Sequence, residues 1–251
     1  MPIFGIITDF GFDFAIASMK GLILCTYPDA KIVDIDHSVE HFSIMSAAFI
    51  LQKVYKFFPD GTIFICVIDP GVGSDRELIC IDIKSYKFVG PNNGIFHYIS
   101  KDITAEDRVY KIKNDFHAVH SNTFHGRDVL TPAAIELAKG NKSFLEVSSK
   151  ENITHIALLE GGEFVVLYID GFGNIKTNIP ANIVILNFLK IKTRCGSKNI
   201  RFVKTFSDVD RGELLCYRGS NDTLEIAVNL GSANKVLGLC VGDILEIESQ
   251  I

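Results

Sequence analysis

A short apolar run that ends in a carboxylate, a proline and two glycines constrains the fold more than any other feature of the chain. Residues 62–68 are almost all β-branched or aromatic and too few for a helix, which predicts a strand buried on both faces. Asp69-Pro70 ends the strand, because proline cannot continue a ladder. The following glycines permit positive φ or a close backbone approach. Asp69 and Arg76 thus stand where α/β sheets bind ligands, although an exposed ion pair at a turn is the alternative.

The order of elements along the first half predicts an α/β domain. Strands are expected at residues 3–8, 31–36, 62–68, 78–83 and 87–89, and helices at about 13–27, 43–58 and 129–138. Because the first three strands alternate with helices, we expect a largely parallel sheet with helices on its faces.

The second half of the chain has a different sequence pattern. Residues 141–154 are polar and lack periodicity, so we expect an N-terminal domain at 1–150 and a C-terminal domain at 151–251. Short strands separated by turns are expected at 164–169, 183–189, 224–228 and 244–248. This pattern predicts a smaller all-β, barrel-like domain.

Composition limits the classes of partner. The chain has 251 residues, 47% of them hydrophobic, and a formal charge of -5, which favours a full core over disorder and offers no electrostatic footprint for nucleic acid. The sequence contains no run of 18 apolar residues, so we expect no membrane-spanning helix. Six cysteines without a C-x-x-C pair are typical of reduced thiols in a cytoplasmic protein.

Three aspartates beside glycine, proline or phenylalanine end strands or loops: Asp9, Asp69 and Asp170. Carboxylates in such places suit ribose hydroxyls or a substrate ammonium group. Aromatic rings that offer a stacking surface for a purine lie at Phe10, Phe124 and Phe172. Taken singly, each phenylalanine is more often a core residue.

The motifs of several common enzyme classes are absent. There is no Walker A loop, no G-x-G-x-x-G after the first strand and no G-x-S-x-G elbow. A metal site built from Asp34, Asp36, His37 and His41 is an open alternative. However, the segment Asp36-His37-Ser38 is typical of the end of a strand. His37 and His41 would then not lie on the same face of a helix, where they could bind one metal ion together.

Several segments together resemble the S-adenosylmethionine hydroxide adenosyltransferase family, which is related to the fluorinase and chlorinase. They occur in family order: Thr8-Asp9-Phe10-Gly11, Met19-Lys20-Gly21, Asp69-Pro70-Gly71-Val72-Gly73-Ser74 with Arg76, Val89-Gly90-Pro91-Asn92-Asn93-Gly94, Thr123-Phe124-His125-Gly126-Arg127-Asp128, Asp170-Gly171-Phe172-Gly173-Asn174 with Thr177-Asn178-Ile179, and 224–233. Each is moderately specific alone, and the set is highly specific.

The resemblance implies hydrolysis of S-adenosylmethionine to adenosine and L-methionine, with water or hydroxide attacking the ribose C5′. It implies a catalytic triad of Asp69, Arg76 and His125, in which the histidine either completes the hydrogen bonds of the water or takes its proton. No cofactor is implied. The halogenating relatives carry a larger residue in place of the triad aspartate, so Asp69 favours hydrolysis.

By the same resemblance, further residues contact the substrate: Asp9 the ribose, Phe172 the substrate by packing, Asp170 the methionine ammonium, Asn174 the adenine edge, and Ser220, Asn229 and Leu230 further groups. Phe124 is expected to join them as a ring that can stack on the purine. The family implies a homotrimer in which the first domain of one subunit faces the second domain of its neighbour. A non-catalytic S-adenosylmethionine sensor, a metal-dependent hydrolase and a halogenase remain as alternatives.

Overall fold

The computed structural model describes residues 1–116, 123–183, 188–193, 196–219 and 222–247. The chain divides into two compact units, Met1–Ile156 and Ala157–Ile251. The first contains strands β1 (Ile3–Thr8), β2 (Lys31–Asp36), β3 (Ile63–Val67), β4 (Leu78–Ile83), β5 (Tyr86–Pro91), β6 (Arg108–Ile112) and β7 (Leu145–Ser148), and helices α1 (Phe14–Thr26), α2 (Ile44–Val54) and α3 (Thr131–Ala138). No helix of the described part is long and apolar enough to cross a membrane.

The predicted elements of the first half are present. Asp13 caps α1 by accepting from the backbone N–H of Ala15 at 2.8 Å, as its residue type predicts. Helix α2 is shorter than expected, because the chain tightens into a 3₁₀ turn at Tyr55–Phe57. The α/β prediction for this unit is confirmed.

The sheet of the first unit is mixed, in the order β2-β1-β3-β5-β4-β6-β7. The pairs β1–β2, β1–β3 and β3–β5 are parallel, whereas β4–β5, β4–β6 and β6–β7 are antiparallel. The three strands that alternate with α1 and α2 pair in parallel, since a parallel connection needs a long crossover. Strand β5 also pairs with β3 in parallel, and the chain between them passes through β4.

The polar segment 141–154, where no strand was predicted, contains the edge strand β7. Only Leu145 of this strand is buried, while Val147 is 76% exposed. An edge strand with one buried residue shows no apolar alternation for sequence reasoning to detect.

Helices cover both faces of this sheet. Ile63, Ile65 and Val67 of β3 share a core with α1 and α3. On the opposite face, the rings of Phe64 and Phe88 stack at 4.9 Å. Strand β3 is therefore buried on both sides, as its uninterrupted apolar run predicts.

The second unit is built on strands β8 (Val166–Ile169), β9 (Ile175–Pro180), β10 (Phe188–Thr193), β11 (Gly196–Phe202), β12 (Leu214–Arg218), β13 (Thr223–Val228) and β14 (Glu246–Ile247), with short helices α4 (Ala157–Glu160) and α5 (Ala233–Leu237). The sheet order is β14-β10-β11-β12-β13-β9-β8. An antiparallel bridge joins Val165 to Ile244, beside the two edge strands. The sheet therefore curls towards closure, which confirms the barrel-like prediction and protects its edges.

Three of the four strands predicted here match β8, β13 and β14. For the fourth, predicted at 183–189, residues 184–187 lie outside the described part of the chain. Phe188 and Leu189 begin β10, whereas Ile183 ends a 3₁₀ turn. Strands β9, β11 and β12 were not identified from the sequence.

Candidate active site

The side chains of Asp69, Arg76 and His125 converge beyond the carboxyl end of β3. Arg76 Nε donates to Asp69 Oδ1 at 2.6 Å, and Arg76 Nη2 donates to Asp69 Oδ2. The same Nη2 lies 2.9 Å from His125 Nδ1. The side chains of Asp69 and Arg76 are only 6% and 10% exposed. The structure thus brings together the three residues that the resemblance implies for catalysis, in a two-pronged ion pair with an imidazole attached.

The loop between β3 and β4 folds back on itself and so presents Arg76 to Asp69. Ser74 donates from its backbone N–H and its hydroxyl to Gly71 O, at 3.0 and 2.7 Å. Gly73 has a φ of +82°, a conformation that side chains rarely allow. The aspartate-proline-glycine segment therefore works as a compact turn that returns the arginine to the strand end.

His125 is positioned by a π-helical turn, Gly126–Leu130, which leads into α3. A Cβ atom on Gly126 would lie only 2.9 Å from Val67 Cγ1. Glycine therefore allows this turn to pack directly on β3. Single π-helical turns are frequent at functional sites, and this one carries the imidazole to within reach of Arg76.

The hydrogen bond from Arg76 defines the protonation of His125. A guanidinium has only donors, so Nδ1 of the imidazole must be the acceptor, and the proton of the neutral ring lies on Nε2. Burial, and then the charge of Arg76, hold the pKa of His125 below its ordinary value. The neutral ring therefore presents an Nε2–H donor at physiological pH.

A cavity of about 310 Å³, here called the front cavity, adjoins this cluster. It is lined by Asp9, Phe10, His41, Phe42, Val67, Asp69, Val72, Thr123, Phe124, His125 and Gly126. Its volume is at the lower end of the range for small-molecule pockets, about 300–1,000 Å³. The predicted residues Asp9 and Phe124 thus share one cavity with two members of the triad.

Asp9 is held in place within the front cavity. Its Oδ2 accepts from the backbone N–H of Phe42 at 2.8 Å, and the side chain is largely buried. Its backbone oxygen lies 2.7 Å from His41 Nδ1. Sequence reasoning did not place Phe42 in this cavity, because its position depends on a positive φ of 68° that its residue type does not announce.

The aromatic wall of the front cavity is also fixed. The rings of Phe10 and Phe124 meet edge to face, with centroids 6.0 Å apart. The guanidinium of Arg127 covers Phe124 at 4.6 Å, and Arg127 forms an ion pair with Asp128. Phe124 therefore has a defined orientation, suited to packing against a planar ligand.

The alternative metal site is not assembled. His37 Nδ1 lies 2.9 Å from Thr8 Oγ1 and its Nε2 lies 3.1 Å from Asp34, whereas His41 is bonded to Asp9. Asp36 Oδ1 accepts from the backbone and the hydroxyl of Ser38. The two histidines thus serve different neighbours, as the strand exit predicts.

The second unit holds the other residues that were predicted to contact the substrate. Asp170 Oδ1 accepts from the backbone N–H groups of Phe172 and Asn174, both at 3.0 Å, and Asp170 Oδ2 accepts from Asn174 Nδ2 at 3.0 Å. One turn thus locks Asp170 and Asn174 together and leaves Phe172 81% exposed. Asn229 Nδ2 donates to Val209 O at 2.9 Å. Leu230 is 75% exposed, and Ser220 lies outside the described residues.

Sequence reasoning missed a charged cluster behind Asp170. Lys176 Nζ lies 3.4 Å from Asp170 Oδ2 and contacts Glu225 more closely. Tyr217 donates its hydroxyl to the same Glu225 oxygen at 2.6 Å. The cluster joins β9, β12 and β13, so no spacing along the chain could have revealed it. It leaves one net negative charge on the two carboxylates and the lysine.

Comparisons with known proteins agree with the motif order. The family model of the SAM hydroxide adenosyltransferase N-terminal domain matches residues 4–147, and that of the C-terminal domain matches residues 164–246. The chain is 33% identical to the (R)-S-adenosyl-L-methionine hydrolase of Methanocaldococcus jannaschii, over 98% of this chain and 96% of that protein. It is 31% identical to the hydrolase of the same name from Thermus thermophilus, over 94% and 95%.

More distant and structural relatives extend this comparison. A fluorinase from an Actinoplanes species is 26% identical over 71% of this chain and 72% of that protein. The crystal structure of an uncharacterized conserved protein from Thermotoga maritima matches with a TM-score of 0.83 at 30% identity, covering 97% of this chain and 99% of that one. Similarity to the hydrolases thus covers both units, whereas this fluorinase matches a smaller share.

Proposed function

Since the chain belongs to the S-adenosylmethionine hydroxide adenosyltransferase family, we propose that it is an enzyme that hydrolyses (R)-S-adenosyl-L-methionine to adenosine and L-methionine. The observation that carries this proposal is the convergence of Asp69, Arg76 and His125 beside a cavity that is also lined by Asp9 and three phenylalanines. Those groups suit a nucleoside and a small oxygen nucleophile.

The chemistry needs a nucleophile and little else. Attack on C5′ forms a C–O bond and breaks the C–S bond, and sulfur takes the bonding pair and leaves as a neutral thioether. No general acid is therefore needed for the leaving group. The difficulty is the nucleophile, because bulk water has a pKa of about 15.7, and reaction of hydroxide with a sulfonium annihilates charge, which a site with little water favours.

Within this reaction, we assign His125 as a hydrogen-bond donor to a hydroxide-like nucleophile. Its Nδ1 is occupied by Arg76 and its Nε2 carries a proton, so the ring lacks a free lone pair with which to take a proton. Arg76 supplies permanent positive charge. Asp69 orients the guanidinium through two hydrogen bonds and balances its charge.

We assign the substrate contacts to both units. Asp9 has Oδ1 available for the ribose, while Oδ2 is held by Phe42, and Phe124 offers its oriented face to the nucleoside. Asp170 would bind the methionine ammonium, supported by the net negative charge of its cluster. Phe172, Asn174, Ser220, Asn229 and Leu230 would complete the adenine and methionine contacts.

The assembly, cofactor need and location are also proposals. A homotrimer with sites at its subunit interfaces would unite residues that the sequence divides between the two units. No cofactor is required by the bond changes above. The described cysteines are free thiols, which supports a reducing, cytoplasmic location.

The direct test is product analysis. Purified protein incubated with (R)-S-adenosyl-L-methionine should release adenosine and methionine in equal amounts, with and without a chelator. Asp69→Ala, Arg76→Ala and His125→Ala should each lose turnover while largely keeping substrate affinity in calorimetry. Wild-type rates in all three variants would remove the mechanism.

The same assay separates the alternatives. Binding without product, even at high enzyme concentration, would favour a non-catalytic sensor. Loss of activity with the chelator would favour a metal-dependent hydrolase. A halogenated adenosine product in the presence of chloride or fluoride would favour the chemistry of the fluorinase relatives.

A further inference from the structure

The triad stands between two cavities. Behind it lies a second cavity of about 440 Å³, here called the rear cavity, whose lining includes Ser74, Arg76, Lys113, Asn114, His125 and Val129. His125 lines both cavities, Asp69 lines only the front cavity, and Arg76 lines only the rear one. The guanidinium and the imidazole thus form a wall that is reached from both sides.

Substitution at C5′ requires the oxygen to approach opposite the departing sulfur, with the reacting atoms about 3–3.5 Å apart. A nucleoside seated in the front cavity stands between bulk solvent on that side and the triad, because bound ligands of this size are typically 70–90% buried. With the substrate in place, a water molecule therefore needs another route.

The lining of the rear cavity is polar enough to hold water. Arg76, Lys113 and Asp75 line it together with the polar side chains of Ser74 and Asn114. A cavity that is roomy and polar can hold water molecules with several hydrogen-bond partners. Water can therefore reach Arg76 and His125 from this side.

We propose that the nucleophile enters, and its proton leaves, through the rear cavity while the substrate occupies the front cavity. The inference rests on the proposed hydrolase function. Water enters from the rear, one proton departs through the same cavity to bulk solvent, and the remaining hydroxide is held by Arg76 and His125. Its oxygen bonds to C5′ as the C5′–S pair returns to sulfur, so atoms and charge balance.

The proposal can be tested by placing a larger side chain at an exposed residue that lines the rear cavity, so that water can no longer pass. Asn114 is exposed and lines this cavity, whereas the next residue, Asp115, is exposed and does not. Asn114→Phe should lower kcat about tenfold or more with an unchanged dissociation constant for S-adenosylmethionine. Asp115→Phe, of equal bulk on the same turn, should leave both at wild-type values, and Asn114→Ala should keep kcat.

Thermal melting of each variant verifies that it is folded, and Asn114→Leu replaces Asn114→Phe if the latter melts early. If Asn114→Phe or Asn114→Leu is folded and keeps the wild-type kcat, the nucleophile does not enter through the rear cavity. That result would leave the hydrolase function intact. A loss of substrate affinity instead of kcat would also overturn rear entry. Absence of adenosine from the wild type would remove the hydrolase function itself, and rear entry with it.

Discussion

Arg76 Nη2 donates to His125 Nδ1 across 2.9 Å. Because arginine has no acceptor, this one contact assigns the imidazole as the Nε2–H tautomer. It also separates two roles that the sequence leaves open for His125. A ring whose only lone pair is occupied can hold an oxygen nucleophile by donation, and it is poorly placed to remove a proton.

The tautomer and its pH dependence can be measured. The pKa of His125 is held below 6.5 by burial and by Arg76, so the ring should be neutral at pH 7 and the acid limb of kcat/KM should lie below pH 6.5. Long-range ¹H–¹⁵N spectra should show a protonated Nε2 and an unprotonated Nδ1. Arg76→Gln should raise the pKa of His125, because the repelling charge is lost.

The same assignment predicts the alkaline behaviour of the rate. If His125 were a general base, activity would level off above its pKa. A hydroxide held by donors should instead give turnover that keeps rising above pH 7.5, by up to about tenfold per pH unit. A plateau from pH 6.5 to 9 in the rate of the chemical step would contradict the donor role.

Asp69→Asn should destabilise the fold as well as slow the reaction. Breaking a buried ion pair leaves a charge without its counter-ion, at a cost of about 3 kcal/mol, and both side chains here are almost fully buried. Urea unfolding should report this loss in the free energy of unfolding. The control is Asp82→Asn, whose exposed partner Lys142 lies at 2.8 Å, with an expected cost below about 1 kcal/mol.

Gly126→Ala should impair catalysis through packing. Its methyl group would lie 2.9 Å from Val67 Cγ1, so the π-helical turn must move and take His125 with it. We expect about 2 kcal/mol of destabilisation and a larger fall in kcat than in substrate affinity. Gly21→Ala in α1 meets no atom within 4 Å and should be neutral or slightly stabilising. Equal kinetics for both variants would show that the turn does not position His125.

The proposed trimer predicts complementation between inactive subunits. Asp69→Ala and Asp170→Ala each remove one half of the site, so each homotrimer should be inactive. Suppose that each site pairs the first unit of one subunit with the second unit of its neighbour, across an interface that joins two different surface patches. Refolding the two variants together in equal amounts should then restore about a quarter of the sites, because half of the first units and half of the second units are intact. Co-refolded protein without activity, but trimeric by light scattering, would indicate that both halves come from one subunit.

Much of the fold could be predicted because it depends on local signals. The apolar run of β3 is buried along its whole length, and Asp13 caps α1 as its residue type requires. Strand β7 escaped prediction, since with Leu145 as its only buried residue it is defined by pairing with β6 and not by its own pattern. The same holds for Lys176 and Glu225, which meet only because β9 pairs with β13.

The order of motifs along the chain was enough to name the family and to propose three catalytic side chains, because residue identity and spacing are properties of the chain itself. Only the tertiary structure decided that Asp69, Arg76 and His125 meet, that the arginine rather than solvent occupies Nδ1 of the histidine, and that the wall they form has a cavity on each side. Hydrogen-bond direction and access depend on which atoms face one another in space. Those are consequences of packing between β3, the turn that follows it and the π-helical turn, and no linear spacing encodes them.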